Sequence, residues 1–209
     1  MIDIQINLPI AKPNIKKRDT TVALSDMTWE DYESLANNND SNYRISYYEQ
    51  VITLMSPSRN HERIAQTITI LINAYCRAFG IEYFALGSTD IRNPPHSAKQ
   101  PDAQYCFNTE KDIPDLAVEV IYSSGGITDL DKYQNLNVKE VWLWQNNELK
   151  IYWLVGSSWN QVDHSKSLEK LTKSSLNKHI CQGLTQGHLS IETKFVRELK
   201  TGISDLLEE

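Results

Sequence analysis

The sequence predicts a mixed α/β domain, because strand-like and helix-like segments alternate along its 209 residues. Residues 115–122 form an apolar run that is greasy on both faces, which is typical of an interior strand covered on two sides. Apolar residues recur at helical spacing between positions 64 and 79, as in an amphipathic helix. Segments 43–48 and 51–55 flank a two-residue turn and predict a β-hairpin.

Composition narrows the class of protein. No apolar run approaches the length of a membrane span, and the first residues lack the pattern of a signal peptide. The three cysteines, Cys76, Cys106 and Cys181, show no pair or metal spacing, so we expect a reduced, cytoplasmic setting and no membrane partner. A net charge of −6 counts against tight, non-specific binding of nucleic acid but leaves room for a locally positive cleft.

The first third of the chain is predicted to hold an arm, a short helix, the hairpin and the long helix. Residues 1–24 form an extended arm or an edge strand. Thr28 opens a helix that runs to about Ala36, and Asp31 stands near the position that a capping box requires. The hairpin follows, and the long helix begins after Pro57 and ends at Gly80.

The rest of the chain is predicted to be mostly strands, with two further helices. A turn-rich loop over residues 93–100 separates two groups of strands, and Leu130 and Tyr133 face inward from a short helix. Phe195 and Leu199, with Ile203, mark an amphipathic helix near the end of the chain. The predicted strands are 81–86, 87–92, 100–107, 115–122, 138–144 and 148–154, and the short helix spans 127–136.

Two acids are the leading candidates for chemistry. Glu119 lies in the middle of the interior strand, where a carboxylate must be neutral, paired with a cation or bound to metal. Asp102 lies on the preceding predicted strand, so adjacent strands can bring the acids together. Their repulsion favours a cation between them, and a few oxygen ligands completed by water suit Mg²⁺. The alternative is that Glu119 pairs with a Lys or Arg across the sheet while Asp102 caps a turn.

Other candidates have a functional and a structural interpretation. His61 lies on the buried stripe at the start of the long helix, so it either points into the site or forms a local hydrogen bond. Glu49, in the hairpin turn, either faces the two acids or is solvated. The basic cluster at residues 16–18 either contacts phosphate or is a solvated surface. Trp142 and Trp144 are expected to pack in the core rather than stack on bases.

The order and spacing of several motifs resemble the Uma2 family of the PD-(D/E)XK restriction-endonuclease-like superfamily, which is abundant in cyanobacteria. The resemblance covers roughly residues 25–155. The motifs are, in order, Met55-Ser-Pro57, His61-Glu-Arg-Ile64, Gln100-Pro-Asp102, Leu116-Ala-Val-Glu119-Val120, Ser124-Gly-Gly-Ile127, and Tyr133 leading into Val138-Lys-Glu-Val-Trp142.

The resemblance implies a central mixed β-sheet flanked by helices, with an N-terminal hairpin and a C-terminal helix. Residues 25–155 would form the nuclease-fold domain, with residues 1–24 as an arm and residues 156–209 as an extension packed on it. The metal site would lie at Asp102 and Glu119, which match the family's positions. His61 and Glu49 also match family positions and would lie at the rim of the site.

Several departures from the family pattern concern catalysis more than fold. The superfamily's third active-site letter falls at Ile121, and the family's displaced lysine falls at Asp129. Lys132 is three residues further on, and its ammonium can reach back toward residue 129. Gln100 and Val51 stand where many members have glutamate. A missing lysine removes a charge that would orient water or stabilise the transition state.

Together these features predict a Mg²⁺- or Mn²⁺-dependent endonuclease that hydrolyses DNA. Asp102 and Glu119 would hold the metal, Gln100 would support them, and Lys132 would be the substitute cation. The alternative is a nuclease-fold protein that has lost efficient hydrolysis and binds nucleic acid or protein. A third interpretation is a structural homo-oligomer that uses the C-terminal helix as its interface.

Overall fold

The computed structural model describes residues 18–38, 43–122 and 129–201. The strands in these ranges are β1 (Thr20–Leu24), β2 (Arg44–Tyr48), β3 (Val51–Ser56), β4 (Tyr83–Ala85), β5 (Ile91–Asn93), β6 (Ser97–Lys99), β7 (Ala103–Phe107), β8 (Leu116–Ile121), β9 (Glu140–Gln145), β10 (Glu148–Val155) and β11 (Ser158–Val162). The helices are α1 (Trp29–Asn37), α2 (Arg59–Phe79), α3 (Asp129–Asn135), α4 (Lys173–Gly183) and α5 (His188–Thr201).

The described strands form two sheets. Sheet I has five strands in the order β1-β3-β2-β6-β5, and sheet II has six in the order β11-β10-β9-β8-β7-β4. Strands β8 and β9 are parallel, whereas the other neighbours in sheet II are antiparallel. The predicted mixed sheet is therefore confirmed as sheet II, and the predicted hairpin, β2 and β3, belongs to sheet I.

Local capping explains where the first two helices begin. At α1, Thr28 Oγ1 accepts a hydrogen bond from the Asp31 amide at 3.2 Å, and the Thr28 amide donates to Asp31 Oδ2 at 2.9 Å. This reciprocal pair is the predicted capping box. At α2, the Ser58 side chain accepts from the His61 amide at 3.3 Å, which fixes His61 in the first turn. Gly80 ends α2 with a φ of 66°, a conformation that glycine adopts at little cost.

Three clusters of buried apolar side chains hold these elements together. The first lies between one face of sheet II and helices α2, α4 and α5, and it includes Leu116, Val118 and Val120. The second lies between the other face and α3, and it includes Ala117 and Ile121. The third joins α1 to sheet I. Strand β8 is therefore covered on both sides, as its sequence predicts.

Two other expectations about packing are confirmed. Trp142 and Trp144 are buried within the first cluster, where they pack and do not face solvent. Leu130 and Tyr133 are buried in the second cluster, so α3 presents its apolar side to sheet II. Among the described residues, no helix is both long enough and apolar enough to span a membrane.

The prediction of a loop over residues 93–100 is wrong in part, because β6 lies within this range. A three-residue strand is too short to show alternation, and it gains its partners from β2 and β5. The strand predicted at 81–86 is shorter in the structure, as β4, and the strand predicted at 87–92 begins later, as β5, and extends to Asn93. Lys16, Lys17, the 123–128 segment and Ile203 lie outside the described residues.

The chain passes from β6 of sheet I to β7 of sheet II through three residues, Gln100, Pro101 and Asp102. Strand β6 ends immediately before them and β7 begins immediately after them. Because β6 pairs with β2 and β7 pairs with β8, this short connection brings side chains from both sheets to one place.

Candidate active site at the junction of the sheets

Asp102, immediately before β7, lies across from Glu119 of the neighbouring strand β8. The antiparallel register pairs Ala103 with Val118, which places Asp102 opposite Glu119 one step further along. The Asp102 amide donates to the Val118 carbonyl at 3.0 Å, and the Val120 amide donates to Asp102 Oδ2 at 2.6 Å. The predicted adjacency of the two acids on neighbouring strands is therefore present, while their roles as metal ligands stay predictions.

Asp102 is neutralised by two cationic side chains. Its carboxylate is 1% exposed, and its Oδ1 accepts from Arg44 Nη1 and, at 2.8 Å, from His61 Nε2. Arg44 comes from β2 and also pairs with Glu62 at 3.0 Å. Burial opposes ionisation of Asp102, but the hydrogen bond from His61 and the charges of His61 and Arg44 lower its pKa.

His61 lies between two carboxylates and is fully buried. Its Nδ1 donates to Asp19 Oδ2 at 3.1 Å, and Asp19 Oδ1 accepts from the Ser58 amide at 2.8 Å. Burial alone would lower the pKa of His61, but its hydrogen bonds to Asp102 and Asp19 raise it to about 9. Burial also opposes ionisation of Asp19, yet the hydrogen bond from His61 lowers its pKa to about 2. At neutral pH the His61 side chain is therefore a protonated imidazolium.

Glu119 is paired with a lysine from the other sheet. Lys99 Nζ lies 2.6 Å from Glu119 Oε1, and the Tyr133 hydroxyl donates to Oε2 at 2.8 Å. Burial raises the pKa of Glu119, and the charges of Asp102 and Asp129 add to the increase, while Lys99 offsets part of it. The structure thus has the cation pairing that the sequence left open as an alternative to metal.

Lys99 and Lys132 meet on the carboxylate of Asp129. Lys132 Nζ lies 3.1 Å from Asp129 Oδ1, so its ammonium reaches back to residue 129, and Lys99 Nζ lies 3.5 Å from the same oxygen. The role of Lys132 as the substitute cation stays a prediction. Burial opposes ionisation of Asp129, but the two lysines lower its pKa. Sequence reasoning missed Lys99, which stands in a strand where the sequence predicts a loop, and it also missed Arg44 and Asp19.

Gln100 is held by hydrogen bonds beside the site, whereas Glu49 is exposed. Gln100 Oε1 accepts from the Ile45 amide at 2.9 Å and its Nε2 donates to Asp90 Oδ1 at 2.5 Å, so it braces β2 beside the site. Glu49 is exposed in the β2–β3 turn and is not among the residues that line the cavity. The exposure of Glu49 agrees with the solvated interpretation and not with the one in which it faces the acids, and Arg44, at the opposite end of β2, is the residue of this strand that contacts Asp102.

A cavity of about 350 Å³ opens beside this cluster. Polar and apolar side chains from β1, β2 and β3 share its wall with Glu119 and Asp129. Ion pairs join four acids, Asp19, Asp102, Glu119 and Asp129, to four cationic side chains, Arg44, His61, Lys99 and Lys132. Glu62 is a further acid that pairs with Arg44.

The donor set determines whether a divalent ion fits here. No three or more His, Cys, Asp or Glu side chains among the described residues form a cluster able to hold a metal. A site completed by water needs only two carboxylates from the protein, and such a site suits Mg²⁺. A carboxylate has about four acceptor positions. Within the described residues, Asp102 receives three hydrogen bonds and Glu119 receives two. Each acid therefore keeps acceptor positions of the type that suits Mg²⁺, although Arg44 already occupies part of the Asp102 carboxylate and Lys99 part of the Glu119 carboxylate.

The mixed sheet, the flanking helices and the paired acids define a restriction-endonuclease-like α/β protein. The chain belongs to the Uma2 family, whose model, described as "Putative restriction endonuclease", matches residues 29–181. Its fold is similar to a crystal structure from Anabaena variabilis described as "a putative nuclease belonging to DUF820". That likeness has a TM-score of 0.55 and 14% identity, and it covers 74% of this chain and 99% of the other. No curated protein matches the chain.

Proposed function

We propose that the chain hydrolyses DNA phosphodiester bonds with a divalent ion held by Asp102 and Glu119. The observation that carries this proposal is the placement of two buried acids on neighbouring strands beside a cavity with cationic side chains in its wall. A bound Mg²⁺ or Mn²⁺ would lower the pKa of a coordinated water and neutralise charge on the phosphate.

The protein's own residues contribute charge and orientation. His61 and Arg44 keep Asp102 ionised, which a metal ligand requires. Lys132 lines the cavity and offers a cation for a phosphate group, because this chain has Asp129 where the family pattern has a lysine. Gln100 supports the acids indirectly, because its side chain holds the backbone of β2 in position.

A second candidate function is binding of nucleic acid or protein without hydrolysis. The observation that favours it is the contact of Arg44 with Asp102 Oδ1, because a fixed guanidinium there supplies part of the charge that a metal would supply. Lys99 does the same at Glu119. The overall charge of −6 makes such binding dependent on this local cluster.

The two functions are separated by a nicking assay on supercoiled DNA with Mg²⁺, Mn²⁺ or EDTA. Hydrolysis predicts nicking that needs the metal and falls to background in Asp102→Asn and Glu119→Gln, while the exposed control Asp112→Asn keeps it. Salt-sensitive DNA binding without nicking supports the binding module. If neither nicking nor binding is seen, the nuclease and the nucleic-acid-binding function both fail.

Cellular setting and assembly stay predictions. Buried, unpaired thiols at Cys76 and Cys106 support a reducing compartment such as the cytoplasm. The C-terminal helix gives little support to the oligomer, because Ile191 and Phe195 of α5 are buried inside the same chain. Size measurement in solution tests the oligomeric state.

A further inference from the structure

Lys99 is held at the end of β6 between two carboxylates. Its Nζ lies 2.6 Å from Glu119 Oε1 and 3.5 Å from Asp129 Oδ1, and its side chain is 10% exposed. An ammonium group has three donors and, when buried, needs an anionic partner. The shorter distance makes Glu119 its main partner, and Asp129 is a second one within reach.

The second lysine of the cluster does not share this position. Lys132 lies 3.1 Å from Asp129 Oδ1 and forms no other ion pair with the described acids. Lys99 is therefore the lysine that contacts an acid proposed to bind metal. Because Asp129 stays beside it, Lys99 can leave Glu119 without losing every charge partner.

We propose that Lys99 is an internal counterion that occupies Glu119 in place of a divalent ion and moves to Asp129 when such an ion binds. The inference rests on the proposed metal site at Asp102 and Glu119, and it names the competitor for that site. It also gives Asp129 a role, as the carboxylate that receives the displaced ammonium.

The competition has a measurable size. The apparent affinity for the metal equals the intrinsic affinity multiplied by the fraction of molecules in the binding-competent state. If Lys99 occupies Glu119 in about nine tenths of the molecules, removing it tightens metal binding about tenfold. Loss of the Asp129 carboxylate weakens metal binding, because Lys99 then keeps Glu119 as its remaining charge partner.

The test is the dissociation constant of Mn²⁺, measured by calorimetry on the full chain at pH 8. We expect Lys99→Met to bind Mn²⁺ about tenfold or more tightly than the wild type. Lys111→Met, which removes the same charge at an exposed site, should leave the constant unchanged. Adding Glu119→Gln to Lys99→Met should cancel the gain, and Asp129→Asn alone should weaken binding.

A fold check accompanies the calorimetry, because Lys99→Met leaves Glu119 buried without its cation. Lys99→Gln keeps a hydrogen-bond donor without the charge and serves if the methionine variant does not fold. Thermal unfolding with and without Mn²⁺ is the second readout, since an ion that binds the native state raises Tm. A larger Mn²⁺-dependent rise in the Lys99 variants supports the proposal.

Unchanged or weaker Mn²⁺ binding after removal of Lys99 overturns the inference, as does equal binding by Asp129→Asn. The result is distinguishable from the fate of the proposed function. A wild type that cleaves no DNA, combined with a Lys99 variant that binds Mn²⁺ tightly, ends the hydrolysis proposal and keeps this one. A wild type that cleaves DNA, with no gain in Mn²⁺ affinity in the Lys99 variants, keeps the hydrolysis proposal and ends the one for Lys99.

Discussion

His61 is the residue whose ionisation links the site to the stability of the fold. Its folded pKa of about 9 lies above its ordinary value of 6.5 because Asp102 and Asp19 accept from both ring nitrogens. A raised pKa means that the protonated form is stabilised by folding. This contribution is complete below about pH 6.5 and is lost as the pH rises through about 9.

We therefore expect the free energy of unfolding to fall by roughly 3 kcal/mol between about pH 6.5 and pH 9, as an upper figure for one such group. Urea unfolding at a series of pH values measures it. His61→Gln should flatten the slope in this range, and the exposed control His96→Gln should keep it. An equal slope in the His61 variant would show that other groups cause the pH dependence.

At acidic pH the stability of the fold depends on pH with the opposite sign. The pKa of Asp19 is lowered to about 2, so its contribution is present above its ordinary value of 3.8 and is lost as the pH falls toward 2. Asp19→Asn is expected to reduce stability at neutral pH and to change it little near pH 2. Unfolding curves at those two pH values check this, and equal losses at both would contradict it.

Single residues also show what the sequence could reveal about the site. Asp102 and Glu119 are recognisable from the sequence because Glu119 lies within the apolar run of β8 and Asp102 immediately precedes β7. The partners of His61 were harder to find, since Asp19 lies 42 positions away and is joined only by the folded chain. Lys99 was invisible for the same reason, because pairing between sheets leaves no periodic signal.

At the scale of elements, Glu140 ties a loop to sheet II. Its fully buried carboxylate accepts from the Trp142 indole at 2.7 Å and from the amides of Lys166 and Ser167 at 3.0 and 2.8 Å. Glu140→Ala leaves these three donors without their acceptor. The cost of about 1–3 kcal/mol for a buried group applies to the Trp142 indole, because Lys166 is exposed and Ser167 is half-buried. We expect a loss of about 1–3 kcal/mol in urea unfolding, with the exposed Glu110→Ala near zero.

Helices α2 and α4 approach closely at a glycine. A Cβ added at Gly183 would lie 2.6 Å from the Thr67 side-chain atoms Oγ1 and Cγ2, which is too close for van der Waals contact. Gly183→Ala is therefore expected to destabilise the fold by about 1–3 kcal/mol. Thr67→Ala in the same chain should recover part of this loss, and a double-mutant cycle from urea unfolding measures the coupling. Strictly additive effects would contradict the clash.

The elements differ in how far the sequence predicts them. Helix α2 and strand β8 were evident, because a long apolar period and a two-faced apolar run are hard to mistake. The β2–β3 turn formed without Asn-Gly, since Glu49 and Gln50 adopt φ of 49° and 61°. Strand β6 was missed because its three residues are defined by their neighbours rather than by their own pattern.

For the whole molecule, the site is a junction in which each sheet supplies part of the charge. Arg44 and Lys99 come from sheet I, whereas Asp102 lies immediately before β7 of sheet II and Glu119 lies in β8, an interior strand of that sheet. The ion pairs between them therefore contribute to the contact of the two sheets as well as to the chemistry of the cavity. Because opposite charges meet across the junction, weakening one pair should loosen one sheet relative to the other.

Arg44→Leu tests this connection, because it removes a buried contact between β2 and Asp102. A hydrogen bond to a charged group contributes roughly 1.5–3 kcal/mol, so amides of β2 and β3 should exchange hydrogen at least about tenfold faster. Amides of β9 and β10, in the core of sheet II, should change less. Arg92→Leu is the matched control, since Arg92 pairs with Asp90 at the edge of sheet I and makes no ion pair with sheet II among the described residues. Equal acceleration in both sheets would mean that Arg44 supports the fold as a whole and not the junction.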